Sequence, residues 1–295
     1  LDAIRRLASR LKEQMDLSSA DTDRWPELKA IYSENTLKQI IAVRELLLEM
    51  ETDEANFFKA LVCGVLHGPS SMFLSVPMKD VTSMSPRYVE RFAREKGLEK
   101  PDRDLFKCVF RKAQLALKDG LPPVRGEAFR ADARQLPLPD RSVDLIITSP
   151  PYPGVLDYAW ANWIRVWFLG STVQEERARL LLTSSLSRYL AFMEEALQEA
   201  YRVLRPGGHC VLVVGDVRRR GEVINTAEFL AEVAEGVGFQ VREVREDPYP
   251  LRKRSFLVLN EAKYGFRADE EVERCSVPMA VSYTHLRAHE TEADL

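Results

Sequence analysis

Val143-Asp144-Leu145-Ile146-Ile147-Thr148-Ser149-Pro150-Pro151-Tyr152 decides how the rest of the chain is read. Its apolar, β-branched first part reads as a buried strand, and two successive prolines forbid continuation as strand or helix. The chain must turn out of its sheet at this corner. Each proline lacks an N–H, so the corner offers carbonyl oxygens and the Ser149 hydroxyl, few backbone donors, and an aromatic face at Tyr152. Those groups suit a flat ring bearing an amine. Ser149 Oγ and the Pro150 carbonyl can accept both amine hydrogens, freeing the nitrogen lone pair for attack on an electrophilic methyl group, while Tyr152 stacks on the ring.

Outward from the corner, texture separates two regions. Residues 1–121 read almost wholly as helix. An amphipathic stretch carries Ile4, Leu7 and Leu11, and a second, over residues 36–50, carries Leu37, Ile40, Ile41, Val43, Leu47 and Leu48. Residues 56–66 are a third candidate. Ser85-Pro86 reads as an N-cap with proline at the first helical position, opening a helix that bears Arg87, Arg91 and Arg94 and ends near Gly97. These arginines read as a solvated helix face or, alternatively, as a DNA-contacting one. Residues 102–117 complete the helical set.

From Pro122 the pattern becomes strand, turn and helix. Residues 127–131 are a short strand candidate ending at Asp132, followed by a proline-rich turn into the central strand. Beyond the corner, Trp160, Trp163 and Trp167 are spaced so that at least two belong to packing. A helix over residues 186–204 stops at Arg205-Pro206-Gly207-Gly208, and strand 210–214 follows. Next come the basic loop Arg218-Arg219-Arg220, a helix over 225–234, a strand near 239–244, the basic connection Arg252-Lys253-Arg254 and a last strand near 255–259. Such alternation predicts an open α/β sheet whose ligand site lies beyond the carboxyl ends of its strands. That rule gathers the corner and both basic loops at one edge, where clustered Lys and Arg suit nucleic-acid phosphates.

The chain has 295 residues, 45% of them hydrophobic, enough for a large core, and a net charge of −3 that makes any nucleic-acid contact a matter of local patches. No apolar run approaches a membrane span, residues 1–6 lack a signal-peptide core, and a cytosolic, membrane-free protein is expected. Cys63, Cys108, Cys210 and Cys275 are scattered, as suits buried reduced thiols rather than disulfides or a zinc site.

Ser149-Pro150-Pro151-Tyr152 after an apolar strand resembles the catalytic motif of amino-methyltransferases that use S-adenosylmethionine. The serine form is typical of DNA cytosine-N4 methylases, and aspartate or asparagine forms of adenine-N6 enzymes. The resemblance runs from about residue 127 to 259 and implies a partial Rossmann-like methyltransferase sheet over residues 122–268, with the helical region 1–121 inserted in or preceding it. It implies DNA as the partner, with the target base flipped out of the stack into the site. It assigns catalysis to Ser149, Pro150, Pro151 and Tyr152, and cofactor binding to Asp132. Substrate contacts then fall to Asp157, Tyr158, Arg218, Arg219, Arg220, Arg252, Lys253 and Arg254, with no metal. Turn capping by Asp132 and a structural role for Gly207-Gly208 are the plainer alternatives.

The resemblance departs at one place: the glycine-rich loop that such enzymes place after their first strand is missing, and Gly236-Val237-Gly238 sits where a helix end explains it. The simplest expectation is a record that begins inside the fold. Residues 281–295 are similar to translated sequencing adapter and read as a non-native tail, so the His285 and His289 pair is given no role. The functional readings are therefore a DNA amino-methyltransferase favouring cytosine N4; an adenine-N6 DNA or an RNA amino-methyltransferase; and an inactive fragment that binds nucleic acid weakly. A Pro-Cys nucleophile is missing, which argues against ring-carbon methylation. The recognition sequence, any restriction partner and the oligomeric state are not legible.

Overall fold

The computed structural model describes residues 1–78, 82–151, 157–215, 217–219, 222–246 and 279–285. It resolves into two compact units: residues 1–126 with 157–180, and residues 127–156 with 181–295.

The first unit is helical. Its elements are α1 (Asp2–Gln14), α2 (Pro26–Lys29), α3 (Glu34–Leu48), α4 (Asp53–Cys63), α5 (Pro86–Lys96) and α6 (Leu105–Ala116), joined by α7 (Tyr158–Ala161), α8 (Trp163–Phe168) and α9 (Val173–Arg179). Apolar stripes explain the packing: Leu7 and Leu11 of α1, Leu37 and Ile40 of α3, Phe58 and Val62 of α4, and Phe106 and Val109 of α6 share one buried cluster. The starts are capped as composition dictates. Ser33, Thr52, Ser85 and Asp104 each accept a first-turn N–H with the side chain. Gly97 closes α5 at φ 60°, a left-handed conformation that costs glycine little. Polar side chains seat α6 on α3: the Arg103 N–H donates to Thr36 Oγ1 at 2.8 Å and the Leu105 N–H to Gln39 Oε1 at 3.0 Å.

Segment 157–180 belongs to this unit because its aromatic side chains and backbone find partners there. Ile164, Trp167 and Phe168 are in the same buried cluster. Arg44 Nε donates to the Trp167 carbonyl at 2.9 Å, and Arg165 Nε donates to the Cys63 carbonyl at 3.1 Å. Trp167 is buried and Trp163 half-buried, in keeping with the spacing argument, whereas Trp160 stays exposed.

The second unit is α/β. Its elements are β1 (Val143–Thr148), α10 (Leu186–Val203), β2 (Leu204–Val214), β3 (Val217–Arg219), β4 (Glu222–Ile224), α11 (Thr226–Val237), β5 (Phe239–Glu246) and β6 (Met279–His285). The sheet order is β1-β2-β6-β5, with β3 and β4 in a separate hairpin. β1 and β2 are parallel, pairing Ile146 with Cys210 and Thr148 with Leu212. Tyr189, Met193 and Leu197 of α10 and Leu230 and Ala234 of α11 share a core with Cys210, Leu212, Val214 and Phe239.

The structure corrects four expectations. Residues 205–209, read as a helix stop ahead of a strand at 210–214, are already part of β2, which begins at Leu204. Residues 127–131 form no strand; Asp132 makes only an isolated bridge with Gln135, because the segment has no neighbouring strand to pair with. β1 is not buried: it is the last strand in the sheet order, and Leu145 and Ile147 are 51% and 67% exposed. Residues 217–219 are not loop but the first strand of the β3–β4 hairpin, in which Arg218 pairs with Val223 and Arg219 with Glu222. The expected strand at 255–259 lies outside the described residues. β5 instead pairs antiparallel with β6, most of which falls in the segment set aside as a tail. Its alternating Val281, Tyr283 and neighbouring Thr284 have the β-branched and aromatic character that a strand takes.

Gly208 of β2 has no room for a side chain. A Cβ there would stand 2.9 Å from the Arg205 carbonyl oxygen and 3.1 Å from that of Asp144, both backbone atoms that must shift to admit it. Gly208→Ala is expected to destabilise the second unit by roughly 2 kcal/mol, read as a lower urea midpoint. An unchanged midpoint would remove the structural role of this glycine.

Candidate active site

The corner forms at the carboxyl end of β1. Thr148 is the last residue paired with β2, and Ser149-Pro150 leaves the ladder because proline cannot donate to it. Ser149 is exposed, Pro150 is buried and Pro151 is half-buried. A buried proline fixes the backbone that carries the carbonyl, and Ser149 beside it is exposed. Tyr152 lies outside the described residues.

Parallel pairing puts the carboxyl ends of β1 and β2 at the same edge of the sheet. Beyond Val214, the end of β2, Arg218 and Arg219 lie in the first strand of the β3–β4 hairpin. Arg220, Arg252, Lys253 and Arg254 lie outside the described residues.

Asp132 sits in the loop before β1, pinned to α10. Arg134 Nη1 donates to Glu195 at 3.1 Å, the Leu136 N–H donates to Glu199 at 2.6 Å, and Arg202 bridges Glu199 and Asp140. The Asp132 carboxylate accepts from Arg134 Nε at 3.1 Å, from Arg134 Nη2 at 2.9 Å and from the Arg134 N–H at 2.9 Å. These bonds hold its pKa down at about 2. Asp132 is therefore a turn-capping, ion-paired carboxylate as it stands, and a ligand hydroxyl or amine reaching it would compete with the guanidinium.

Asp157 and Tyr158 open α7 in the helical unit, whereas Ser149 belongs to the α/β unit. Asp157 caps the helix by accepting the Trp160 N–H at 3.0 Å, and it accepts from Arg177 Nε at 2.7 Å. Partial burial works to raise its pKa, but the Arg177 and Trp160 bonds outweigh it and hold the carboxyl below its ordinary value. Tyr158 is half-buried at the first position of α7. Arg134, Arg177 and Glu199 are the positioning residues that sequence reading missed. The Asp132-x-Arg134 spacing was the visible signal for the first; no local signal marks Arg177, which lies a helix away from Asp157.

Among the described residues, no group of three or more His, Cys, Asp or Glu side chains is placed to hold a metal ion, and no helix is long and apolar enough to cross a membrane. Burial raises the thiols of Cys63 to about 11 and Cys210 to about 12, so neither is a thiolate near neutrality.

Residues 143–271, beginning at β1 and including the corner, match the N6_N4_Mtase family, described as DNA methylase. No curated protein matches the chain. Among solved structures, an inferred DNA modification methylase from Thermus thermophilus, complexed with S-adenosyl-L-methionine, is 19% identical at a TM-score of 0.34, over 53% of this chain and 52% of its own. The chain thus spans about half the length of that protein. A SAM-dependent methyltransferase from Methanosarcina mazei is 13% identical at a TM-score of 0.28, over 61% of this chain and 78% of its own. Likeness at such scores carries no weight for function.

Proposed function

We infer from the DNA methylase match over residues 143–271, and from the corner that opens it, that the chain methylates the exocyclic amine of a base in DNA. The observation that carries the reading is the placement of Ser149-Pro150 at the carboxyl end of a strand paired parallel to its neighbour, where an α/β sheet takes its ligand. S-adenosylmethionine is the methyl donor of this reading; its sulfonium supplies a methyl group that needs no further activation. The protein's part is to prepare the nitrogen. Ser149 Oγ and the Pro150 carbonyl accept the two amine hydrogens, which withdraws the lone pair from ring conjugation. The nitrogen so prepared would take the donor's methyl group, and its surplus proton would leave through these acceptors to water. Tyr152 stacks on the ring in this account, and the arginines of β3 meet backbone phosphate. Asp132 does not stand ready for the donor while Arg134 holds it, so no step is assigned to it.

Serine at position 149 favours cytosine N4 as the target over adenine N6. Duplexes in which methylatable amines are confined to cytosine or to adenine test this. Digestion and mass spectrometry should show N4-methylcytosine; N6-methyladenine, or methylation of RNA in preference to DNA, would replace the base or the polymer while keeping the amine chemistry.

A further inference from the structure

The helical unit carries a surface whose charges and rings suit nucleic acid. Arg87, Arg91 and Arg94 lie at i, i+4 and i+7 on α5, hence on one stripe, and all three are exposed. At the helical rise they spread over about 10 Å. Arg91 lies over the Tyr88 ring at 5.5 Å and reaches Glu95 at 3.8 Å. The side chains of Arg87 and Arg94 have no ion-pair partner among the described residues. Tyr88 and Phe92 stack beside them with ring centroids 6.0 Å apart.

The start of α5 is tied to α7 and α8. The Ser83 N–H donates to the Ala161 carbonyl at 2.7 Å, and Trp163 Nε1 donates to the Met84 carbonyl at 3.1 Å. Trp163 in turn stacks on Trp160, with centroids 6.3 Å apart and planes inclined by 25°. Trp160 remains 43% exposed. A solvated helix face accounts for the arginines, but not for an indole of α7 that stacks on a second indole and is left open, on a segment tied by hydrogen bonds to the residues that lead into α5. Arginines that meet phosphate together with an exposed aromatic ring are what recognition of unstacked bases requires.

We propose that α5 and α7 form a DNA-contacting surface in which Arg87, Arg91 and Arg94 meet the phosphates of one strand and Trp160 stacks on an unpaired base. The choice of DNA rests on the methyltransferase reading; the surface itself does not.

The test is fluorescence anisotropy of labelled DNA with the whole chain, over a range of salt, using a duplex that contains one unpaired base. Arg87→Gln, Arg91→Gln and Arg94→Gln combined should flatten the slope of log affinity against log salt by about 2 to 3, and the triple lysine replacement should restore it. Trp160→Ala should weaken binding by about 5- to 100-fold, with Trp160→Phe keeping most of the affinity. Circular dichroism shows that each variant is folded. An unchanged salt slope in the glutamine triple, an unchanged affinity in Trp160→Ala, no DNA binding by the parent chain, or tighter binding of the matching RNA would each overturn the proposal. Ser149→Ala separates it from the catalytic reading, because that change should leave the affinity alone. Binding that depends on these four residues without any methyl transfer sinks only the catalytic reading; methyl transfer with binding indifferent to them sinks only this surface.

Discussion

Ser149→Ala is expected to lower the rate of methyl transfer by about 10²- to 10³-fold, the scale of losing one hydrogen-bonding group aimed at developing charge, with little change in affinity for donor or DNA. As the methyl group arrives, the amine nitrogen becomes tetrahedral and positive, and its N–H groups become stronger donors. An acceptor fixed beside it therefore gains more in the transition state than in the ground state, and its loss falls on kcat rather than KM. Pro150 keeps its carbonyl in the variant, so a residual rate should persist. Single-turnover transfer from labelled donor measures it. Equal losses in donor binding and rate would instead make Ser149 a structural residue at the end of β1.

The second large effect concerns acid stability of the helical unit. His67 is fully buried, and both ring nitrogens lack hydrogen-bond partners among the described residues. Burial first, and the nearby Arg165 guanidinium second, push its pKa down to about 4. The unfolded chain, with an ordinary imidazole, binds the proton between about pH 6.5 and 4 while the folded chain does not. Stability is thus fully present above pH 6.5 and is lost as pH falls toward 4, by about 3 kcal/mol. Urea unfolding of the parent chain should show this slope, and His67→Leu should lose it. A slope that survives the substitution would assign acid sensitivity to other groups.

Features set by local chemistry were legible in the sequence. Ser85, Pro86 and Gly97 bracket α5 as read, because capping and φ preferences act within a few residues. Helix 186–204 ends within a residue of the observed Val203, where Pro206 and Gly207 forbid more. The corner after β1 follows from a β-branched run cut by proline, and the end of β2 from the apolar run 210–214, although β2 begins at Leu204 and takes in Pro206. What failed depended on neighbours. Residues 127–131 have strand character but no strand beside them. Leu145 and Ile147 look like core in one dimension, but they alternate with half-buried Ile146 and are exposed on the opposite face of the strand, which depends on what covers that face. The three-residue strands β3 and β4 are too short to show a period, and the charge run at Arg218 masked them. Of the candidate site, Ser149 and Pro150 were legible because proline chemistry is local. The guanidinium that occupies Asp157 comes from α9 and left no mark beside it.

The central claim is most directly tested by incubating the chain with duplex DNA and methyl-labelled S-adenosylmethionine, then locating the label. Label is expected on an exocyclic base nitrogen with the parent chain, and it should be almost wholly lost with Ser149→Ala. Label on a ring carbon, or transfer that Ser149→Ala leaves undiminished, would contradict it.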